Sequence, residues 1–367
     1  MHVGYGTGLQ HLNDYSDTRF LREEIGNCEM AESLGMDSVW VTEHHFDRYS
    51  ISPDPLQLLT YLAGRTKRVK LGSMAIIVPW HDPMRLAEQI VLLDHYSNGR
   101  FILGVGRGLA RREFEGLRID QNQARARFDE YTELVLQALE TGIMEGGATT
   151  QQPRRELRPR PFKSFQGRSF AAAASADSVP VVARLGLGLL VILQKPWDQV
   201  RADFELYRKC WRESHGPNVL PPKPFCSGFC FVDESADRAE ELARKYLAAG
   251  YREALDHYDM FGKHFAATKA YERYANLSTY LNEVGEDKAV EDYIQLMPWG
   301  TPQQVLDKFS QMKDLIDMQG IMPNFNFGGM AHQESVRSLK LFVQKCMPEL
   351  KSWPSATLEE PRELNAA

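Results

Sequence analysis

The stretch VWVTEHHFDR, residues 39–48, begins as a buried β-strand and ends in side chains that can exchange protons. Its first four residues, Val39 to Thr42, are apolar, aromatic or β-branched, which is the composition of a strand covered on both faces. Glu43, His44 and His45 follow directly. A fold that buries this strand must therefore place an acid and two imidazoles at its carboxyl end.

Strand and helix signals alternate along the whole chain. The strand candidates are Val3–Leu9, Ser38–Thr42, Lys70–Val78, Phe101–Val105, Ser169–Ala174, Gly188–Leu193, Phe225–Val232 and Ile321–Phe327. Helical stretches lie between and after them, with Gly35, Pro83 and Ser235 as end or start signals. Eight strands alternating with helices predict parallel pairing and, as the simplest closed arrangement, a (β/α)8 TIM barrel. The rival is a doubly wound open sheet, but the GYGTG of the first strand lacks the glycine spacing that such sheets often carry.

The composition is that of an ordinary globular protein. The 367 residues are 43% hydrophobic and 25% charged, and the formal net charge of -6 argues against a nucleic-acid-binding or anionic-membrane-binding surface. The longest apolar runs, such as Leu185–Leu193, are too short to span a bilayer, and the first residues show no signal-peptide pattern. Five cysteines without paired spacing suit a reducing compartment, so we expect a cytoplasmic protein.

Residues 1–350 are predicted to form a single barrel domain in which two segments break the pattern. Residues 142–168, rich in Gly, Pro, Gln and Arg, predict a long irregular connection whose basic cluster is a solvated loop rather than a nucleic-acid site. Residues 267–292, the lid segment, carry three tyrosines and precede the last strand, where they could cover the mouth of the barrel. Residues 351–367 predict a flexible tail.

The carboxyl ends of the strands converge on the active site of such a barrel. The second strand would bring Glu43, His44 and His45 there, and the fourth ends at Arg107 between two glycines. Those glycines let the backbone approach a ligand, and a guanidinium group holds phosphate with two hydrogen bonds, although pairing of Arg107 with a nearby acid is equally open.

Two further patterns bear on the site. In AAAASADSVPVV, residues 171–182, the polar residues at a helix start can either cap their own helix or bind phosphate. Adjacent histidines in an extended chain point to opposite faces, so we predict no metal site at His44 and His45. One of them could be a core histidine bonded to a backbone carbonyl, and the sharper hypothesis is a general acid or base.

Five stretches together resemble the bacterial luciferase-like flavin-dependent monooxygenases. They are VWVTEHHF (39–46), LLTYLAGRTKRVKLGSMAIIVPWHDPMRLAEQIVLLDHYSNGRFILGVGRGL (58–109), AAAASADSVPVVARLGLGLL (171–190), WGTPQQVL (299–306) and SVRSLKLFVQKCMPEL (335–350). EHHF after a strand, then HDPMR, then NGRF and GRGL form a specific combination. The resemblance implies the barrel fold, and the retained histidine pair and Arg107 resemble the catalytic rather than the non-catalytic subunits of the family.

The resemblance also implies roles for single residues. His44 matches the catalytic histidine, and Glu43 and His45 lie in its surroundings. Contacts with the flavin are implied for Met74 and Ala75, in a segment with a non-prolyl cis peptide against the ring, and near the phosphate for Arg107, Leu109, Arg125, Ser175 and Ser178. Gly106 and Ala174 depart from the light-emitting members, which have a reactive cysteine and a glutamate at these positions.

The reaction that the resemblance implies has two components. A separate flavin reductase would supply reduced FMN, which reacts with O2 to give a C4a-peroxyflavin that oxygenates a small organic substrate. An F420-dependent oxidoreductase of the same fold and a non-catalytic flavin-binding protein remain as alternatives. The helices near Leu56–Arg65 and Leu86–His95 correspond to the family's dimer interface, so we expect a homodimer.

Overall fold

The computed structural model describes residues 1–172, 177–355, 358 and 360–364. Its strands are β1 (His2–Thr7), β2 (Ser38–Val41), β3 (Lys70–Ser73), β4 (Ile76–Ile77), β5 (Phe101–Gly106), β6 (Ile143–Gly146), β7 (Gln152–Glu156), β8 (Ser169–Ala172), β9 (Gly188–Ile192), β10 (Phe225–Phe229), β11 (Phe231–Val232), β12 (Trp299–Gly300) and β13 (Gly320–Asn324). From β1 the hydrogen-bonded order runs through β2, β3, β5, β8, β9, β10 and β13 and returns to β1, all parallel. This closed ring of eight strands confirms the predicted (β/α)8 barrel.

Helices connect and surround the strands. They are α1 (Asp17–Ser33), α2 (Pro55–Arg65), α3 (Pro83–Tyr96), α4 (Arg111–Gly116), α5 (Ala124–Thr141), α6 (Val179–Arg184), α7 (Trp197–His215), α8 (Ala236–His257), α9 (Glu272–Val284), α10 (Glu286–Leu296), α11 (Pro302–Ile316), α12 (His332–Lys345) and α13 (Met347–Ser352), with 3-10 turns at Val78–Trp80, Gln121–Gln123 and His264–Ala267. The side chains of Ser16, Asp54 and Asp82 cap α1, α2 and α3, which satisfies otherwise unpaired N–H groups. Within the described residues, none of these helices has the length and apolar character needed to cross a bilayer.

Trp40 fills the interior of the barrel below the site. Its side chain is fully buried, and its indole N–H donates to the Ser38 hydroxyl at 2.7 Å. Gly72 on the next strand makes room for the ring, because a Cβ atom there would lie 2.3 Å from a ring carbon. Phe170, Phe225 and other buried side chains complete this layer, so the barrel has a packed floor beneath the ends of its strands.

One connection and two strands differ from the prediction. Residues 142–168 were predicted to be irregular, but β6 and β7 pair there as an antiparallel hairpin because glycines with positive φ at 146 and 147 allow the chain to reverse. The predicted strand Lys70–Val78 is divided into β3 and β4, and Phe225–Val232 into β10 and β11, of which β11 pairs with β12 outside the barrel.

The lid segment and the tail have defined contacts. The lid segment contains α9 and the start of α10 rather than an extended loop. In the tail, the Arg362 carbonyl accepts the N–H of Ser164, and the Leu364 N–H donates to Phe162. The described part of the tail therefore lies against the connection between the hairpin and β8.

A buried ion pair holds that same connection to the barrel. Arg168 donates two hydrogen bonds to the carboxylate of Asp94, at 2.6 and 2.9 Å, and both side chains are almost completely buried. The same guanidinium donates to three backbone carbonyls and lies 3.8 Å from the centre of the Phe165 ring. Every direction around this charge is therefore occupied by an acceptor or an aromatic face.

We expect Asp94→Ala to lower the free energy of unfolding by about 3–5 kcal/mol, because it leaves the Arg168 charge buried without its partner. The matched control is Glu205→Ala, which removes one half of the exposed Arg201–Glu205 pair and should cost less than about 1 kcal/mol. Urea denaturation of both variants measures the difference. Equal effects would show that the buried pair does not stabilise the barrel.

Candidate active site

A cavity of about 580 Å³ lies above the packed floor, at the carboxyl ends of the strands. Its wall includes Glu43 and His44 after β2, Met74 and Ala75 after β3, and the loop 106–109 after β5. The sequence predicted that these strand ends converge, and the structure brings them to one cavity. The peptide bond between Met74 and Ala75 is cis, as expected from the sequence.

Glu43 is a buried carboxylate that joins two loops at the cavity. One oxygen accepts the N–H of Ile77 at 2.7 Å, and the other lies 2.7 Å from Nε2 of His81 and 3.4 Å from Nε2 of His45. Burial alone would raise the pKa of Glu43, but these hydrogen bonds outweigh it and lower the pKa. Burial likewise would lower the pKa of His81, but the contact with Glu43 raises it. Glu43 therefore stays ionised and fixes the loop after β3.

Glu113, on α4, is the second buried carboxylate and was not predicted from the sequence. One of its oxygens accepts a hydrogen bond from Nδ1 of His44 at 3.0 Å and from the backbone N–H of His45 at 2.8 Å, and lies 3.4 Å from Nε2 of His257. Burial would raise the pKa of Glu113, but the charge of His44 and the contacts from His257 and His44 lower it to about 2. An ionised Glu113 holds the His44 ring in one orientation.

His257, at the end of α8, extends this network to the surface. Its Nδ1 lies 2.6 Å from Asp47, which also accepts from Arg112 at 2.7 Å. Burial would lower the pKa of His257, but Asp47 and Glu113 raise it. The Tyr49 ring stacks on His257 with centroids 4.5 Å apart. Contacts therefore run from Arg112 through Asp47, His257 and Glu113 to His44, from the exterior to the cavity.

The rings of the two adjacent histidines contact different carboxylates, because adjacent side chains of an extended chain point to opposite faces. His44 lines the cavity, with its Nε2 3.5 Å from the hydroxyl of Tyr258, whereas His45 turns to Glu43 and packs against Trp80. A trio of His44, Glu113 and His257 has ligand-type atoms within 4.8 Å of one another, close enough to surround a cation. Within this trio the hydrogen bond and the ion pair to Glu113 already satisfy the charges.

Two arginines lie close together at the cavity: Arg107 lines it, and Arg125 bonds to Ser178, which also lines it. Among the described residues Arg107 forms no ion pair; one of its N–H groups donates to the Ala270 carbonyl at 2.7 Å. Arg125 donates to the Ser178 hydroxyl at 2.8 Å and lies 3.4 Å from Asp129. Burial and the nearby charge of Arg107 lower the pKa of Arg125. Two guanidinium groups and a hydroxyl are a donor set that suits a phosphate dianion.

Other predicted residues differ in how far the structure describes them. Leu109 lines the cavity, and its carbonyl accepts from Gln121. Ser175 lies outside the described residues. The lid segment contributes Arg273, Tyr274, Leu277 and Tyr280 to the wall, and the Tyr271 hydroxyl donates to the Gly108 carbonyl at 2.9 Å. The lid segment therefore lies at the mouth, in contact with the loop that carries Arg107.

Three site residues have no distinct signal in the sequence. Glu113 lies in ARREFEG, where Glu115 has the same character, and only its closeness to the loop after β5 could have singled it out. His81 follows a strand end as His44 does, but no pattern links it to Glu43. His257 closes a long amphipathic helix and meets Asp47 across 210 residues of chain.

A family model described as luciferase-like monooxygenase matches residues 1–318. The alkanal monooxygenase alpha chain of Photorhabdus luminescens is 26% identical over 343 residues, which are 92% of this chain and 94% of that protein. The solved structure of the monooxygenase RslO1 from Streptomyces bottropensis is 25% identical, has a TM-score of 0.73, and matches 95% of this chain and 100% of its own.

More distant solved structures share the fold. The oxygenating constituent of 3,6-diketocamphane monooxygenase of Pseudomonas putida, a type II Baeyer–Villiger monooxygenase in complex with FMN, has a TM-score of 0.73 at 16% identity over 95% of this chain and 99% of its own. The coenzyme F420-dependent tetrahydromethanopterin reductase of Methanopyrus kandleri has a TM-score of 0.65 at 19% identity, also over 95% and 99%. At these identities both show the fold alone.

We expect Glu113→Gln to lower the pKa of His257, because it removes one of the two carboxylates that raise that pKa. A histidine with a raised pKa stabilises the fold below its ordinary value of 6.5, and this stabilisation is lost as the pH rises through the folded value. The variant should lose that stabilisation at a lower pH than the wild type. NMR titration of the histidine Cε1–H signals measures the shift.

Glu115→Gln is the matched control, since Glu115 lies on the same helix with an exposed side chain. It should leave the His257 titration unchanged. An unchanged His257 pKa in Glu113→Gln would mean that the 3.4 Å contact is not an ion pair in solution.

Proposed function

Since the chain belongs to the luciferase-like monooxygenase family, we propose that it is a flavin-dependent monooxygenase that uses reduced FMN and O2 to oxygenate a small organic substrate. A separate reductase supplies the reduced flavin. One observation carries this proposal: a single cavity is lined by the imidazole of His44, held by a buried carboxylate, and by Arg107 and Ser178, and Ser178 is bonded to the second guanidinium group, that of Arg125. The imidazole suits proton transfer, and the guanidinium groups suit the phosphate of a mononucleotide.

The residues of the cavity fit FMN. Arg107, Arg125 and Ser178 supply the donors for its phosphate. The two neighbouring guanidinium groups repel each other, and an anion bound between them would offset that repulsion. Met74 and Ala75 supply an apolar surface against which a planar ring can lie. When bound, reduced FMN supplies the electrons by which one oxygen atom of O2 enters the substrate and the other leaves as water.

His44 is the residue in this cavity best placed to move a proton. Its Nδ1–H is held by Glu113 and its Nε2 lies on the cavity side near the Tyr258 hydroxyl, so Nε2 is the atom that gives or takes a proton. Glu43 and His45 act indirectly, because Glu43 holds the loops around the cavity and His45 bonds to Glu43. Both are positioning residues in this proposal.

The wall of the cavity also limits the access of water. Trp80, Leu109 and the lid segment residues Leu277 and Tyr280 place apolar surface around the opening. Exclusion of water protects a reactive oxidant from unproductive discharge. The lid segment must open for substrate and close for the reaction.

We further propose a homodimer formed through α2 and α3. These helices expose large hydrophobic side chains, Tyr61 at 51%, Leu92 at 37% and Tyr96 at 63% of their surfaces. Apolar groups of this size on two adjacent helices support an interface between copies of the chain.

The alternative is that the protein transfers hydride with the deazaflavin F420. A coenzyme F420-dependent reductase has the same fold. The two candidates differ in oxygen use. Photoreduced FMN mixed with the protein, 18O2 and a panel of aldehydes and ketones should give a product containing one 18O atom. Reduced F420 should give no oxygenated product. Substrate reduction by F420 without oxygen uptake would instead establish the alternative.

In that assay we expect His44→Ala to lower the yield of oxygenated product by about 10²-fold or more, because a positioned general acid–base group contributes about 10²–10⁴. His332→Ala is the control, since His332 lies at the start of α12 and does not line the cavity. It should keep the wild-type yield. Full coupling of oxygen use to product in His44→Ala would contradict the role of His44.

We expect Arg125→Gln to weaken FMN binding about tenfold or more, because one charge-assisted hydrogen bond to phosphate is lost. Riboflavin binding, which involves no phosphate, should not change. The matched control is Arg127→Gln on the same helix, whose guanidinium contacts Pro79 and Gln123. Flavin fluorescence titration measures the affinities of the wild type and of both variants for FMN and for riboflavin. Equal losses for FMN and riboflavin would place the phosphate elsewhere.

A further inference from the structure

A second charged cluster lines the cavity apart from His44 and the arginine pair. Lys195 follows β9, Asp203 lies on α7, and Arg273 lies in the first turn of α9 within the lid segment. The connection after β9 and the helix α7 that follows it thus meet the distant helix α9, and together they bring a lysine, an aspartate and an arginine to the wall of the cavity. The proposed chemistry uses none of them.

Asp203 contacts both cations but does not use all of their hydrogen-bond donors. One carboxylate oxygen contacts Nζ of Lys195, and the same oxygen lies 3.5 Å from a guanidinium nitrogen of Arg273. Among the described residues Arg273 forms no hydrogen bond, so its five N–H donors remain available. The side chains of Lys195, Asp203 and Arg273 are 12%, 20% and 28% exposed. Most of the surface of these three side chains is therefore hidden from water, although they lack a full set of hydrogen-bonding partners.

The basic groups of the cluster outnumber the carboxylate that contacts them. Asp203 contacts both Lys195 and Arg273, and the charge of Asp177 also favours the charged form of Arg273. Burial and the neighbouring Arg273 lower the pKa of Lys195 to about 7, while the contact with Asp203 favours its charged form. Burial also lowers the pKa of Arg273. An anion between these cations would offset the cost of their burial.

Apolar side chains adjoin the cluster. Val191 and Ile192 on β9, Phe204 on α7, and Leu277 and Tyr280 on α9 line the same cavity. The phosphate anchor has its own two cations in Arg107 and Arg125. A ligand for the second cluster therefore has an apolar body and a negative charge.

We propose that Lys195 and Arg273, with Asp203 between them, form a substrate subsite that binds the carboxylate of an apolar organic acid. The inference rests on the proposed function for the reaction that the acid undergoes, but the binding itself requires neither oxygen nor turnover. Because Arg273 belongs to the lid segment, a bound carboxylate also joins that segment to the barrel wall.

The test compares acids with uncharged analogues of the same shape. The probes are decanoate with decanamide, and naphthalene-2-carboxylate with its carboxamide, titrated by calorimetry at about pH 6.5, where the carboxylates are ionised, with saturating FMN present. The wild type should bind at least one acid about tenfold more tightly than its amide. Arg273→Gln and Lys195→Met should each remove most of this preference, and Asp203→Asn should increase it.

Arg201→Gln is the matched control, since Arg201 lies on α7 with a side chain 62% exposed, and it should keep the preference. Equal binding of acids and amides by the wild type would overturn the proposal, as would an unchanged preference in Arg273→Gln. Selective loss of FMN relative to riboflavin binding in Arg273→Gln would assign the cluster to the cofactor phosphate and also overturn it. Failure of the oxygenation assay leaves these binding results intact, so the two proposals fail separately.

Discussion

The site depends on the hydrogen bonds and the ion pair that the carboxylate of Glu113 forms. This carboxylate joins the loop after β2, the helix α4 and the end of α8, through His44, the N–H of His45 and His257. Burying a carboxylate is costly unless hydrogen bonds and opposite charges surround it, and Glu113 has both. Removing the charge would leave His44 without the group that orients it and would remove one of the two carboxylates that His257 contacts. The imidazole that lines the cavity is therefore positioned by a buried carboxylate.

Glu43, at the end of β2, connects strand ends in the same way. It holds Ile77, His81 and His45, so that the loop carrying the Met74–Ala75 segment is fixed relative to β2. Both carboxylates act over short distances between strand ends that the barrel has already brought together. The packed layer around Trp40 closes the interior below them. The resulting cavity is lined by the imidazole of His44, by Arg107 and Ser178, and by the cluster of Lys195, Asp203 and Arg273.

The parts of this arrangement that follow from local composition were predictable. β-Branched and apolar residues identify buried strands such as Val39–Thr42 in the sequence. Because strand ends converge in a parallel barrel, the strand predictions also located Glu43, His44 and Arg107. Glu113 and His257 could not be found in that way, because their roles arise from contacts across 69 and 210 residues. The hairpin in residues 142–168 was missed since its strands are almost entirely exposed and carry no apolar alternation. Charge balance in the Lys195 cluster likewise exists only after folding.

The most direct measurement of the central claim is a crystal structure of the protein with FMN bound. We expect phosphate oxygens within hydrogen-bonding distance of Arg107 and Arg125, the flavin ring against the Met74–Ala75 peptide, and Nε2 of His44 facing the ring. A flavin whose phosphate lies away from both arginines, or whose ring lies outside the cavity that His44 lines, would contradict it.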